Sequence, residues 1–368
     1  MLCDLGADVV RVESPAGDSI RRREPFVHEK PGLERSLAHI LYNAGKRSVA
    51  LDLETASGIE TLSELLKQAS VVIAPLEPIA RLKDLLTEDS ISELAPNTGL
   101  VLPVFRRNRE AYATDLTAIA AGGQLFLNGD AQDPPNHPAG NLAYKQLSLA
   151  TALAAMSMVI ESSGGRTPGR IEVSMQEAVM WTTIQSANEN YAHWGLPPPS
   201  RRGLGNVGGQ TIFSTADGLY VSLYHHPPAF AAFARWYEEL YGDGQYTKAP
   251  WTDGYYRFQN AKEIVGITVT VCASMDRKAL VAEAQKRGIL CVPVQNVEAI
   301  AQDSHLRERE FYQKVRFDSL GEELEIVRPP FISSTYRSNS RPAPALGEHT
   351  NEVLREWCGL NLPEAMQR

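Results

Sequence analysis

Apolar positions along this chain change their period several times, and each change marks an element. Val9-Val10-Arg11-Val12 reads as a strand, and residues 57–68 put Ile59, Leu62, Leu65 and Leu66 on one helical face. Val71-Val72-Ile73 is a short apolar run after that helix, and Leu100 to Phe105 is another strand candidate. Strands alternating with helices predict βαβ units and a parallel sheet. The run from Leu147 to Ser163 differs: it is rich in Ala, Ser, Met and Leu, holds only Glu161 as a charge, and ends at Gly164-Gly165. That composition predicts a well-buried helix with a glycine stop. Ile171 to Met175 then resumes as a strand, and residues 176–194 read as a helix.

Pro197-Pro198-Pro199 marks a break, followed by a glycine-rich stretch. Thr211-Ile-Phe-Ser-Thr215 and Leu219-Tyr-Val-Ser-Leu223 flank Ala216-Asp217-Gly218, which predicts a hairpin. Helical patterns return around 228–240 and 275–287. Cys291-Val-Pro-Val-Gln295 reads as a short strand whose proline favours an edge. The pattern alone gives an α/β chain with a second, smaller lobe near 205–300.

At 368 residues the chain can bury a large core, and its 43% hydrophobic and 22% charged shares are ordinary for a soluble globular protein. A formal net charge of −8 argues against nucleic acid or a polybasic membrane role. Cys3, Cys272, Cys291 and Cys358 are scattered without Cys-x-x-Cys spacing, which predicts reduced thiols in a cytoplasmic setting and no zinc site. Asp4 follows Met1 almost at once with no basic segment, unlike a signal peptide. The longest uncharged apolar run, Leu147 to Ile160, is shorter than the roughly 20 residues that span a bilayer, so no membrane role is expected.

Three segments carry a stronger signal: Leu5-Gly-Ala-Asp-Val-Val-Arg-Val-Glu13, Asn43-Ala-Gly-Lys-Arg-Ser-Val-Ala-Leu-Asp-Leu53 and Gly347-Glu-His-Thr-Asn-Glu-Val-Leu354. In that order and at those distances the chain resembles a class III CoA-transferase, the family of formyl-CoA and carnitine-type CoA-transferases and of 2-methylacyl-CoA racemases. Ser214 to Gly218, Arg287 to Val294, Asp303 to Arg307 and Arg341 to Thr350 extend the resemblance over nearly the whole chain. It implies a Rossmann-like large domain formed by 1–204 and 301–368, a small domain at 205–300, and two chains threaded into an interlocked homodimer. Family members usually begin with a strand and helix ahead of the Leu-Gly-Ala-Asp segment. This chain starts inside that unit, so a truncated or reannotated start is expected.

The resemblance implies an Asp nucleophile that attacks an acyl-CoA thioester to give an anhydride, a task suited to a group ionised at neutral pH. Tyr144 stands where that Asp belongs, after the loop Asp130 to Ala143. A phenol, with a pKa near ~10, is a poor substitute. Tyr144 either fills the former cavity, hydrogen-bonded there, or has an acid–base or oxyanion role. The racemase branch needs a His that would fall at Thr114 and a Glu that would fall near His226. His225-His226 suggests metal binding only weakly, because neighbouring strand residues point to opposite faces. Asp130 and Asp133 are candidate displaced carboxylates or simply turn residues.

For the substrate, a CoA thioester with no bound cofactor, the resemblance places Leu51 beside the adenine and puts Lys83 in place of a family Arg near the nucleotide. Lys keeps the charge without the bidentate fork. Glu54 replaces a basic residue, and Ala74-Pro-Leu-Glu-Pro78 departs from the family's Glu-Asn-Phe-x-Pro-Gly. Arg106, Arg107 and Arg109 form a new basic cluster or a solvated loop. Gly203-Leu-Gly-Asn-Val-Gly208 formally matches a dinucleotide fingerprint but lacks the strand–helix context. The resemblance equates Gly205 to Gln210 with a glycine-rich lid. Three readings follow: a CoA-transferase moving CoA from an acyl-CoA to a carboxylic acid with altered catalytic residues, a non-catalytic acyl-CoA-binding or partner subunit, and an acyl-CoA racemase or isomerase.

Overall fold

The computed structural model describes residues 1–77, 79–106, 114–129, 133–183, 211–225, 229–335 and 341–360. It is a mixed α/β structure that divides into two compact units, Met1–Gly122 with Ala139–Thr183 and Ser304–Arg368, and Gly123–Pro138 with Ile184–Asp303.

In the first unit, β1 (Val10–Glu13) pairs in parallel with β2 (Arg47–Ala50). Three further parallel strands follow in the order β3 (Val71–Ile73), β4 (Gly99–Val104) and β5 (Arg170–Ser174). β4 is the most buried, with Leu100 and Val101 almost fully covered, as a near-continuous apolar run requires when both faces of a parallel strand are packed. Helix α1 (Ala56–Gln68) starts where the Thr55 hydroxyl accepts the Gly58 N–H at 3.1 Å. It turns Leu62, Leu65 and Leu66 onto a core shared with Val49, Leu51 and Leu100. Burying each such side chain contributes about 1.5–3 kcal/mol.

Helix α2 spans Asp115–Ala121, and α3 runs from Leu142 to Ser163, starting earlier than its apolar run suggests. The expectation of a well-buried helix is corrected here. One face of α3 packs on β3, β4, β5 and α4 (Met175–Thr183), while Leu149, Leu153, Met156 and Ile160 form an exposed stripe at helical spacing. Ile160 is 69% exposed. By length and composition α3 could cross a bilayer, with 33% of that window buried in the fold. The helix expected over 176–194 is seen to Thr183; its remainder lies outside the described residues.

The second unit contains the expected hairpin, β6 (Ile212–Ser214) and β7 (Tyr220–Tyr224), with β8 (Leu290–Pro293) as the other edge of an antiparallel sheet. Phe213, Val221, Leu223 and Cys291 alternate inward onto α5 (Ala229–Tyr241), α6 (Ala261–Ala273) and α7 (Arg277–Lys286). Ile212, Tyr220, Leu290 and Val292 face outward. The chain then returns to the first unit through the antiparallel hairpin β9 (Tyr312–Phe317) and β10 (Glu322–Val327), and ends the described part after α8 (Thr350–Cys358).

The three segments singled out in the sequence meet in a buried polar network. Arg21, fully buried, donates to both oxygens of Glu13 at 2.9 and 2.8 Å and to Glu34 at 2.6 Å. Ser48 donates to Glu13 at 3.1 Å and accepts the Gly347 N–H at 3.0 Å; Glu34 accepts the Leu346 N–H at 3.0 Å. Gly347 has φ 69°, and a Cβ there would lie 3.0 Å from that of Ala50, so glycine suits this junction. His39 donates from Nε2 to the Pro344 carbonyl at 3.1 Å and accepts from Asn43 at Nδ1. Burial, with the Arg21 charge, pushes its pKa down to about 4. Burial alone would raise the Glu13 carboxyl, but the Arg21 hydrogen bonds and the Arg11 charge hold it at about 2.

Candidate functional site

Helix α3 runs opposite to the parallel strands it covers, which fixes where its first turn lies. Met158 packs against the start of β4 so closely that a Cβ on Gly99 would sit 2.6 Å from its sulfur. At about 1.5 Å per helical residue, the path back to Tyr144 is ~21 Å. The strand from Gly99 to Val104 covers ~17 Å at about 3.3 Å per residue. Tyr144 therefore arrives at the carboxyl edge of β3–β4–β5, the edge where open parallel sheets place their ligands.

The start of α3 is tied from two sides. Asn141 precedes it in a left-handed conformation (φ 53°), and its side chain is not used as a cap. Its Oδ1 instead accepts from Arg23 Nη2 at 2.8 Å. The Ala143 N–H donates at 2.9 Å to Asp115, a buried residue in the first turn of α2. Thr114, where a racemase His would fall, caps α2 in a reciprocal capping box with Thr117.

Tyr144 is 37% exposed. Its phenol pKa is raised, first by burial and then by the charges of Glu77 and Asp115, against the smaller opposing pull of Arg23. The hydroxyl stays protonated at neutral pH and can donate a hydrogen bond; it is a weaker nucleophile than an ordinary tyrosine. Glu77, on the loop after β3, is exposed.

Other residues expected to matter are placed as follows. Leu51 follows β2, is buried in the α1 core, and donates its N–H to the Glu13 carbonyl at 2.9 Å. Lys83 is exposed on the short helix Ala80–Leu85, whose Leu82 joins the same core as Leu51. Glu54 is exposed in the loop before α1. Arg106 lies 5.4 Å from the Phe105 ring centroid. Asp133 is exposed, in the second unit. His225 stacks on Phe233 at 4.5 Å and shares a hydrogen bond of 2.9 Å with Thr268, a packing role. Among the described residues no group of three His, Cys, Asp or Glu could hold a metal. Arg107, Arg109, Asp130, His226, the Gly203–Gly208 motif and the Gly205–Gln210 loop lie outside the described residues.

Sequence reasoning did not single out Arg23, Asn141, Asp115 or Glu77. Only Glu77 had a usable signal, a polar side chain just past a short apolar strand.

Comparison with known proteins covers the whole of this architecture. The BbsE subunit of succinyl-CoA:(R)-benzylsuccinate CoA-transferase from Thauera aromatica is 32% identical over 390 residues, spanning 98% of this chain and 90% of that protein. A succinyl-CoA:mesaconate CoA-transferase from Haloarcula hispanica is 27% identical, across 97% of this chain and 91% of the relative. The fold is that of a CAIB/BAIF family protein from Brucella suis, with a TM-score of 0.80, 24% identity, and coverage of 97% and 93% of the two chains. A family model, CoA-transferase family III, matches residues 1–350. With a match of that extent and a relative of that identity, the chain belongs to CoA-transferase family III.

Proposed function

We propose that this chain transfers CoA from an acyl-CoA thioester to a carboxylic acid with catalytic residues altered from the family pattern. What supports the alteration is Tyr144, a phenol that burial keeps protonated, standing where the resemblance puts the family's attacking Asp, in the first turn of a helix whose Ala143 N–H is tied to Asp115. Two relatives are named for succinyl-CoA as one partner and an organic acid as the other, which favours a succinyl-CoA donor here. The CoA thioester is the substrate, and no bound cofactor is required. Leu51 borders the adenine through whatever surface its burial leaves, and Lys83 offers a point charge to a phosphate.

The fold reading that accompanies this function is a Rossmann-like large domain at 1–204 and 301–368, a small domain at 205–300, and an interlocked cytoplasmic homodimer. The apolar stripe Leu149, Leu153, Met156 and Ile160 supports a protein partner over α3. A second reading, a non-catalytic or partner subunit, is favoured by the same Tyr144 and by a relative that is itself named as a subunit. The racemase alternative gains nothing, because Thr114 is engaged as a helix cap.

The test is to incubate the purified full-length chain with succinyl-CoA and a panel of carboxylic acids and detect new acyl-CoA by mass spectrometry. New thioesters support transfer; bound but unchanged succinyl-CoA across the panel supports the partner-subunit reading. Lys83→Ala is expected to weaken CoA binding by up to about fivefold in calorimetry, the weight of one solvent-screened charge. An unchanged affinity removes Lys83 from the site.

A further inference from the structure

We propose that Arg23 and Lys145 form a subsite for the remote carboxylate of a dicarboxylic acyl group, so that the chain selects succinyl-CoA over acyl-CoAs that end in a methyl group. This subsite rests on the succinyl-CoA reading above and names the residues that set its donor class.

Two cations from distant parts of the chain meet at the start of α3. Arg23 Nη2 donates to Asn141 Oδ1 at 2.8 Å. The backbone beneath that side chain is held: the Arg23 carbonyl accepts from the Ser36 hydroxyl at 2.6 Å, and its N–H donates to the Ile20 carbonyl at 3.3 Å. Lys145 lies in the first turn of α3, where helical side chains lean back toward the amino end. A Cβ on Gly140 would sit 3.6 Å from its Nζ, so the ammonium lies against the turn that precedes the helix. Guanidinium and ammonium thus rest on consecutive residues, Asn141 and Gly140, with Tyr144 next to Lys145 in the chain.

Both side chains are exposed, and among the described residues neither has an ion-pair partner. The two preceding arginines differ. Arg21 is buried between Glu13 and Glu34, and Arg22 donates to the Ala16 and Gly17 carbonyls. A guanidinium has five N–H donors, and Arg23 uses one of them on Asn141, which leaves the others for a ligand.

The charge at this helix end is incomplete. The amino end of a helix carries the positive end of its dipole and is normally matched by an acidic residue or a capping oxygen. α3 has 22 residues, no acidic residue in its first turn and no side-chain cap, and two cations converge there instead. Asp115 takes the Ala143 N–H, but it is 7% exposed and presents little charge to solvent. A local rule broken in this way is characteristic of a functional site, and the partner it calls for is an anion. A carboxylate suits the pair, because the planar guanidinium matches its two oxygens and the ammonium adds a point charge. In a succinyl thioester that carboxylate stands two methylenes from the reacting carbonyl. It can be held at the Gly140–Asn141 turn while the thioester lies along the first turn of α3.

The test is to titrate the full-length chain in a calorimeter with succinyl-CoA and with butyryl-CoA, which has the same carbon count and ends in a methyl group. The parent chain is expected to bind succinyl-CoA at least ~tenfold more tightly. Arg23→Gln and Lys145→Gln are each expected to cut that margin about three- to tenfold and to leave butyryl-CoA affinity unchanged. Arg22→Gln, the same charge change one residue away, is expected to keep the margin. A parent chain that binds both thioesters equally, or a double variant that keeps the margin, overturns the subsite. Equal weakening toward both thioesters also overturns it, because the cations would then serve the CoA portion. Transfer to an acid panel is followed in parallel. A margin without any transfer overturns the transferase reading alone; transfer without a margin overturns the subsite alone.

Discussion

Arg21→Ala is expected to destabilise the first unit by about 3–5 kcal/mol, the range for removing one partner of a buried ion pair. Arg21 is fully buried and neutralises Glu13 and Glu34 together, so its loss strands a buried carboxylate against Ser48 and the Gly347 turn. Because those contacts join β1, β2 and the segment leading into α8, the damage should spread along all three. Hydrogen exchange is the suitable readout: peptides from 10–50 and 345–358 should lose protection. Peptides from 212–290 in the second unit serve as the internal reference. Equal loss in both units would mean global unfolding, and no loss would mean that the network is incidental to stability.

The same network should make the first unit acid-labile well above the usual carboxylate range. His39 carries no proton in the fold until pH falls to about 4, whereas an unfolded histidine takes one up below about 6.5. Between those values the unfolded chain binds more protons, so stability falls as pH falls. Each pKa unit corresponds to about 1.4 kcal/mol, which makes the His39 contribution on the order of 3 kcal/mol. Glu13 acts in the same direction at lower pH, its stabilisation present above about 4.5 and lost as pH falls towards about 2. Urea denaturation from pH 7 downward is expected to show the loss beginning near 6.5 in the parent chain. In His39→Gln it should begin only in the carboxylate range. An identical onset in the two proteins would remove His39 from the account.

Much of this architecture was legible in the residues. The periodicity of Ile59, Leu62, Leu65 and Leu66 gave α1, and Ala216-Asp217-Gly218 gave the β6–β7 turn, because each depends on local chemistry. The start of α3 was not legible, because Asn141 gives its side chain to Arg23 and leaves no local capping signal. Its burial was misread because an apolar surface all round the helix suits burial on both sides, while this chain covers one side only. The β9–β10 hairpin was missed although it could have been read, since Lys314-Val-Arg-Phe317 and Glu323-Leu-Glu-Ile326 alternate charged and apolar positions as a half-buried strand does. At the site, the substitution at Tyr144 could be read by resemblance. Its surroundings could not, because Arg23 and Asp115 are distant in sequence and reach the start of α3 only in the fold.

The central claim is that position 144 supplies a hydrogen bond and not the attacking atom. The most direct test is the rate of CoA transfer from succinyl-CoA by Tyr144→Phe beside the parent chain. The expected result is a drop of roughly a hundredfold, the worth of one oxyanion donor, with transfer still above the uncatalysed rate. Complete loss of transfer, together with an acyl adduct on Tyr144 in the parent chain, would contradict it.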